Sequence, residues 1–179
     1  ISFSWKELEV KKRNLMILWN TFNYLLEYSK SQKIDPTSLS NSLEIEEKYI
    51  LSRLNTTIKK VTELYEFYEL DKIPNELEKL FLDLSRNYMQ YTREKIHEKP
   101  ELVLSTIYKV LFETVKMLST IAPFITEKMF LELKKEYNLK GDSIAMLRWP
   151  KYEESLINKE LEEEINFADQ IIQAGLSAR

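Results

Sequence analysis

The chain has 179 residues, 44% of them hydrophobic and 31% charged, enough for one domain with a real core. Its 26 lysines and arginines against 29 aspartates and glutamates give a formal charge of −3, without the basic surplus usual in a nucleic-acid binder. The absence of cysteine excludes disulfides and thiolate metal sites, and the two glycines, Gly141 and Gly175, argue against folds that need many tight turns.

The composition therefore predicts an all-α protein, and the periodicity supplies the helices. From about Trp5 to Ser29, Leu15, Leu18, Trp19, Phe22, Leu25 and Leu26 recur at steps of three and four. QKIDPTSLSNS, with Pro36, then reads as a loop. A second helix is expected from Glu44 to about Glu69, on the stripe Ile50, Leu51, Leu54, Ile58, Val61, Leu64, Tyr65 and Tyr68. Pro74 fits the first turn of a third, with Asn75, Glu76 and Glu78 at its positive end. Leu77, Leu80, Phe81, Leu84, Tyr88 and Tyr91 form its buried side. Pro100 opens a fourth helix, to about Thr120, so poor in polar residues that it should be central. Pro123 starts a shorter one to about Glu136, Asn138 to Asp142 reads as a turn, and SIAMLRWP as extended chain lying on the bundle. A last helix, about Lys159 to Ala174, should stop at Gly175 as its C′ residue. The expected division is a bundle over 1–137 and an extended segment with a C-terminal helix over 138–179.

No catalytic constellation can be assembled. The single histidine, His97, reads as a solvated helix-terminal residue without a second metal ligand nearby, and no glycine-rich phosphate loop occurs. The carboxylates of Glu160 to Glu164 read as a solvated face. The tyrosines, ten in all, fall mostly on the apolar stripes, where they read as core. No apolar run reaches the roughly 20 residues of a membrane span, and ISFSWKELEVKKR lacks a signal-peptide core. A sequence without an initiator Met reads as a piece of a longer protein, and the absence of cysteine fits a cytoplasmic one.

Three cationic clusters remain. On the third helix Lys79, Asp83, Arg86, Gln90 and Arg93 follow at steps of four, three, four and three, bordered by Asn87 and Thr92. Such a face offers guanidinium forks for phosphate and amides for base edges, with Asp83 placed to hold Arg86. The same residues also make an ordinary solvated helix face. Lys11, Lys12 and Arg13, joined by Asn14 and Asn20, form the second cluster, and Lys59 with Lys60 the third.

Five stretches in order resemble the anticodon-binding domain of class I isoleucyl-, valyl- and leucyl-tRNA synthetases. RNLMILWNTFNYL is similar to its opening helix, and YILSRLNTTIKKV to its W-I-L-S-R-L-N segment, with Tyr49 for tryptophan. FLDLSRNYMQYTREKI resembles its D-L-S-N-x-Y helix, Arg86 standing as an inserted departure. IAPFITEKMF and SIAMLRWP resemble L-A-P-F-x-T-E-E-x-Y and S-I-H-x-x-x-W-P, with Ala145 in the histidine position. N-L-M-I-L-W-N and LEEEINFADQIIQAGLSAR resemble the archaeal and eukaryote-like isoleucyl enzymes.

The resemblance implies a helical module that docks the anticodon stem–loop of tRNA(Ile) beside a separate catalytic domain, which takes ATP with Mg. The HIGH and KMSKS signatures that hold ATP are missing from this sequence, so no cofactor is expected in the chain itself, and it is expected to be monomeric. Lys11, Lys12, Arg13, Lys79, Arg86, Asn87, Gln90 and Arg93 are the candidate RNA-binding residues. A helical protein–protein interaction bundle is the alternative from another class, and a valyl or leucyl parent the alternative within it.

Overall fold

The computed structural model describes residues 4–38 and 42–177, and among them there is no strand. Eight α-helices follow in order: α1 (Trp5–Gln32), α2 (Ile45–Glu66), α3 (Ile73–Asp83), α4 (Met89–Tyr91), α5 (Lys95–Glu98), α6 (Pro100–Leu118), α7 (Pro123–Tyr137) and α8 (Lys159–Ser177). A π-helical segment, Leu84–Tyr88, joins α3 to α4, and two 3-10 turns, Ile144–Met146 and Glu154–Leu156, punctuate the chain before α8. The all-α class is as expected. Part of the predicted loop, 39–41, and the last two residues of the 161–179 resemblance lie outside the described residues.

The apolar stripes converge on α6, which is packed by α1, α2, α3, α5 and α7. Leu18, Phe22 and Leu25 of α1, Ile50, Leu54, Ile58 and Val61 of α2, and Leu77, Leu80 and Phe81 of α3 are buried against it. Being enclosed, α6 must hide its hydroxyls too. Thr106 and Thr114 do so by donating to the carbonyls of Leu102 (2.9 Å) and Val110 (2.7 Å) one turn back.

A chain with two glycines must stop its helices by other means. Lys33, Tyr68 and Asn138 take the left-handed conformation, at φ of 57°, 60° and 51°. Around Tyr68 the Glu69 N–H donates to the Leu64 carbonyl (2.9 Å) and the Tyr68 N–H to that of Tyr65 (3.2 Å). Lys33 is framed in the same way, by Ile34 to Ser29 (3.0 Å) and Lys33 to Lys30 (3.2 Å). These are Schellman closures built on residues that carry a Cβ, at a steric cost that glycine would not incur. The expected stop at Gly175 does not occur. Helix α8 runs through it to Ser177, with Gly175 exposed on its surface and nothing packed within reach of it.

One buried charge cluster ties α2 to the α4–α5 turn. The Glu47 carboxylate, fully buried, accepts from the Tyr88 hydroxyl (2.9 Å), the Lys95 ammonium (3.0 Å) and the Glu44 backbone N–H (3.2 Å), the last closing the first turn of α2. Glu44, Glu46 and Glu47 gather their carboxylates within 4.8 Å, and the Lys95 ammonium sits among them at 3.1, 2.7 and 3.0 Å. It occupies the place a cation would take; burial works to lower the Lys95 pKa, and its hydrogen bonds to Glu46, Glu47 and Glu44 outweigh that and raise it.

Lys95→Met should therefore strand a buried carboxylate and lower stability by about 3 kcal/mol in urea unfolding, with Lys95→Met/Glu47→Gln recovering much of it. Tyr68→Gly, at a residue 86% exposed, should raise stability by about 1 kcal/mol in the same measurement.

Candidate nucleic-acid interface

The chain after α7 returns along the outer polar face of α2. The Ser143 hydroxyl and the Ile144 N–H both donate to Glu127 of α7 (2.8 and 3.0 Å), which fixes the start of this return. Trp149 donates its indole N–H to Thr62 (2.9 Å) and stands edge-on to Tyr65, with ring centroids 5.3 Å apart. Glu153 gives its N–H to Asn55 (2.7 Å), Lys59 bonds Glu154 (2.9 Å), and Asn158 gives its N–H to Ser52 (2.8 Å). The Y-I-L-S-R-L-N-T-T segment, notable in the sequence only as a motif, is thus the track on which 138–162 is laid. SIAMLRWP is extended only from Leu147 onward, since Ser143 caps a 3-10 turn before it.

The track ends in an ionic fork. Arg53 donates to Asp83 of α3 (2.9 Å) and to Glu162 of α8 (3.3 Å). Glu162, only 4% exposed, also accepts from Ser52 (2.5 Å) and Thr56 (2.8 Å), so its carboxylate is fully satisfied. The expected solvated run Glu160 to Glu164 therefore has one buried member, because the tail turns that side of α8 onto α2. Burial pushes the Asp83 carboxyl above its usual range, and Arg53 opposes the rise. Asp83 does not hold Arg86, contrary to the i, i+3 expectation: the guanidinium of Arg53 reaches it first and from a more buried position. Arg86 makes no ion pair among the described residues.

With α8 held there, a groove of about 930 Å³ opens between it and the α3–α4 helix. Lys79, Arg86, Asn87, Gln90 and Tyr91 line one wall; Asn166, Asp169, Gln170 and Ile172 line the other; Arg53, Leu82 and Asp83 lie between. Asp169 accepts from Asn87 (3.0 Å) and from the Tyr91 hydroxyl, closing the two walls together at one point. Lys79 is engaged by Glu76 (2.8 Å), whereas Arg86 and Gln90 are exposed and bear no side-chain bond among the described residues. The helical spacing thus brings four of the candidates, Lys79, Arg86, Asn87 and Gln90, into one groove.

The others lie elsewhere. Arg93 falls beyond α4, in the turn that begins at Thr92, so its step of three from Gln90 no longer keeps it on the face. Lys11 is spent on Glu78 (2.9 Å) and Asn75 (3.2 Å), while Lys12 and Arg13 are exposed without an ion pair. Lys59 is taken by Glu154, and Lys60 stays exposed. His97 is exposed, 3.4 Å from the Tyr28 hydroxyl. The wall on α8 was missed, although Asn166, Asp169 and Gln170 stand at i, i+3 and i+4. That spacing marks a polar stripe, but the sequence does not say what it faces.

The model of the family described as "Anticodon-binding domain of tRNA ligase" matches residues 47–179. Isoleucine–tRNA ligase of Pyrococcus furiosus is 33% identical over 188 residues, covering 100% of this chain and 18% of the relative. That of Natronomonas pharaonis is 32% identical over 186 residues, covering 99% and 17%. That of Clostridium acetobutylicum is 31% identical over 179 residues, covering 96% and 17%. The chain spans less than a fifth of the length of the curated relatives it matches.

Beneath the groove lies Tyr49, the residue that stands where the resembling pattern has tryptophan. It is fully buried, and its hydroxyl, although beside the Asn87 side chain, completes no well-formed hydrogen bond among the described residues. Burial, with the charge of Asp83 beside it, pushes its pKa from 10.0 up to about 12. Because the folded value is raised, the associated stability is present below the unfolded value and is lost as pH climbs toward 12. Tyr49→Phe removes an unpaired hydroxyl, so it should stabilise the fold by about 1 kcal/mol at pH 7 and flatten the alkaline loss. Urea unfolding at pH 7 and across pH 10–12 checks both; a destabilised Tyr49→Phe would mean that the hydroxyl is in fact bonded.

Proposed function

Because this chain belongs to the family of anticodon-binding domains of tRNA ligases, we propose that it is the RNA-docking module of an isoleucine–tRNA ligase. In this reading it holds the anticodon stem–loop of tRNA(Ile), so that the acceptor end reaches a catalytic domain elsewhere in the parent, where ATP and Mg act. The parent is a cytoplasmic monomer.

The observation that carries the reading is the groove between α3–α4 and α8. Arg86 stands at its rim as an unpaired cation with Lys79, held by Glu76, beside it, and Gln90, Asn166 and Gln170 supply paired donors and acceptors with no side-chain partner among the described residues. Asp169 inside repels phosphate and accepts from base amino groups. An RNA strand therefore runs its backbone along the cations and turns unpaired bases inward, the mode used for single-stranded loops. Arg93, exposed beyond α4, extends the phosphate track. Residues 138–179 serve the bundle over 1–137 as the brace that forms the second wall.

A net charge of −3 makes affinity for RNA backbone modest, so binding by the isolated chain depends on these few contacts and has a salt dependence set by their small number. The helices act as a rigid strut: no catalytic group is needed here, and positioning is the contribution.

Arg86→Ala should raise the Kd for an anticodon stem–loop roughly tenfold and reduce the salt dependence by about one phosphate contact. In the full-length parent it should raise the KM for tRNA and leave isoleucine-dependent ATP exchange unchanged. An Arg86→Ala/Arg93→Ala double variant with unaltered tRNA kinetics would sink the assignment of this groove.

A further inference from the structure

Helix α1 has two different lives along its length. Leu18, Phe22 and Leu25 are buried in the bundle, but earlier in the helix Leu8 and Met16 are 48% and 54% exposed. With Leu15 and Trp19 they wall a groove of about 440 Å³ that Ile125 of α7 closes on the far side. The only polar residues lining it are Lys11, whose ammonium turns away to Glu78, and Lys12. At the first turn of α7, Phe124 is 91% exposed. An apolar groove, with a bare aromatic ring next in sequence to the residue that closes it, is a surface that solvent disfavours and a partner covers.

Two facts indicate the partner. Helix α1 lies outside residues 47–179, which match the family's domain, yet inside the stretch aligned with the isoleucine–tRNA ligases. Those relatives extend well beyond it, since this chain covers 17–18% of their length. Lys12 and Arg13 beside the groove carry no ion pair among the described residues, so the complementary surface is apolar with an acidic rim. An RNA backbone would satisfy the cations but leave Met16, Leu8 and Phe124 uncovered.

We propose, on the reading of the chain as a module of a larger ligase, that the α1–α7 face is the seat of the parent's own catalytic body. Lys12 and Arg13 then serve protein docking rather than tRNA.

Hydroxyl-radical footprinting tests this by comparing the 179-residue chain with the full-length ligase that carries it. Met16 and Phe124 should be oxidised readily in the chain and lose that reactivity in the full-length protein, while Tyr68 stays reactive in both. A Leu8→Glu/Met16→Glu variant of the full-length enzyme should restore oxidation of Phe124. Equal reactivity of Met16 and Phe124 in the two proteins overturns the proposal. So does their protection by an anticodon stem–loop added to the chain alone, which would give the face to RNA. Failure of the groove assignment looks different: RNA binding would ignore Arg86→Ala, and protection of Met16 in the full-length protein would persist.

Discussion

Arg53 is the residue on which the arrangement of the groove turns. Its planar guanidinium meets Asp83 on one side and Glu162 on the other, and so joins α2, α3 and α8 at one partly buried point. A lysine would offer one point charge and could not hold both carboxylates in fixed directions. The fork also decides what is left over. Asp83, once engaged, no longer neutralises Arg86, so a cation five residues from the end of the α3–α4 helix remains available at the surface. Structure and candidate function are coupled here: the pair that braces the fold releases the group proposed to meet RNA.

Buried charges at the other end of α2 follow the same logic with a different outcome. Glu47, Lys95 and Tyr88 satisfy one another so completely that the cluster offers nothing to a ligand. Such a network costs desolvation and gains register, since only one alignment of α2 against the α4–α5 turn pairs every group. Beyond the Arg53 fork, the polar face of α2 is consumed by the returning chain, which bonds Thr62, Lys59, Asn55 and Ser52 in turn. What resembled a nucleic-acid-binding lysine pair at Lys59 and Lys60 is, for Lys59, a strap anchor.

Between α3 and α4 the π-helical segment Leu84–Tyr88 falls where the sequence departs from its family pattern, at Arg86. A widened turn changes the angular step per residue, so helical spacing counted through it loses its meaning within one turn. Arg86 and Gln90 still face α8, but Arg93, after the chain leaves the helix at Thr92, does not line the groove.

Helix content, helix order and the central place of α6 were legible in the sequence, because burial of apolar residues at a period of 3.6 depends only on local spacing. The family resemblance was legible for the same kind of reason: motifs are local. What only the tertiary structure decided was which charges remain free. Asp83 takes Arg53 rather than Arg86, Glu162 goes inward while its neighbours stay wet, and Asp169 becomes the second wall of the groove. Each of these outcomes rests on contacts between residues 30 to 110 positions apart, a separation at which no periodicity carries information.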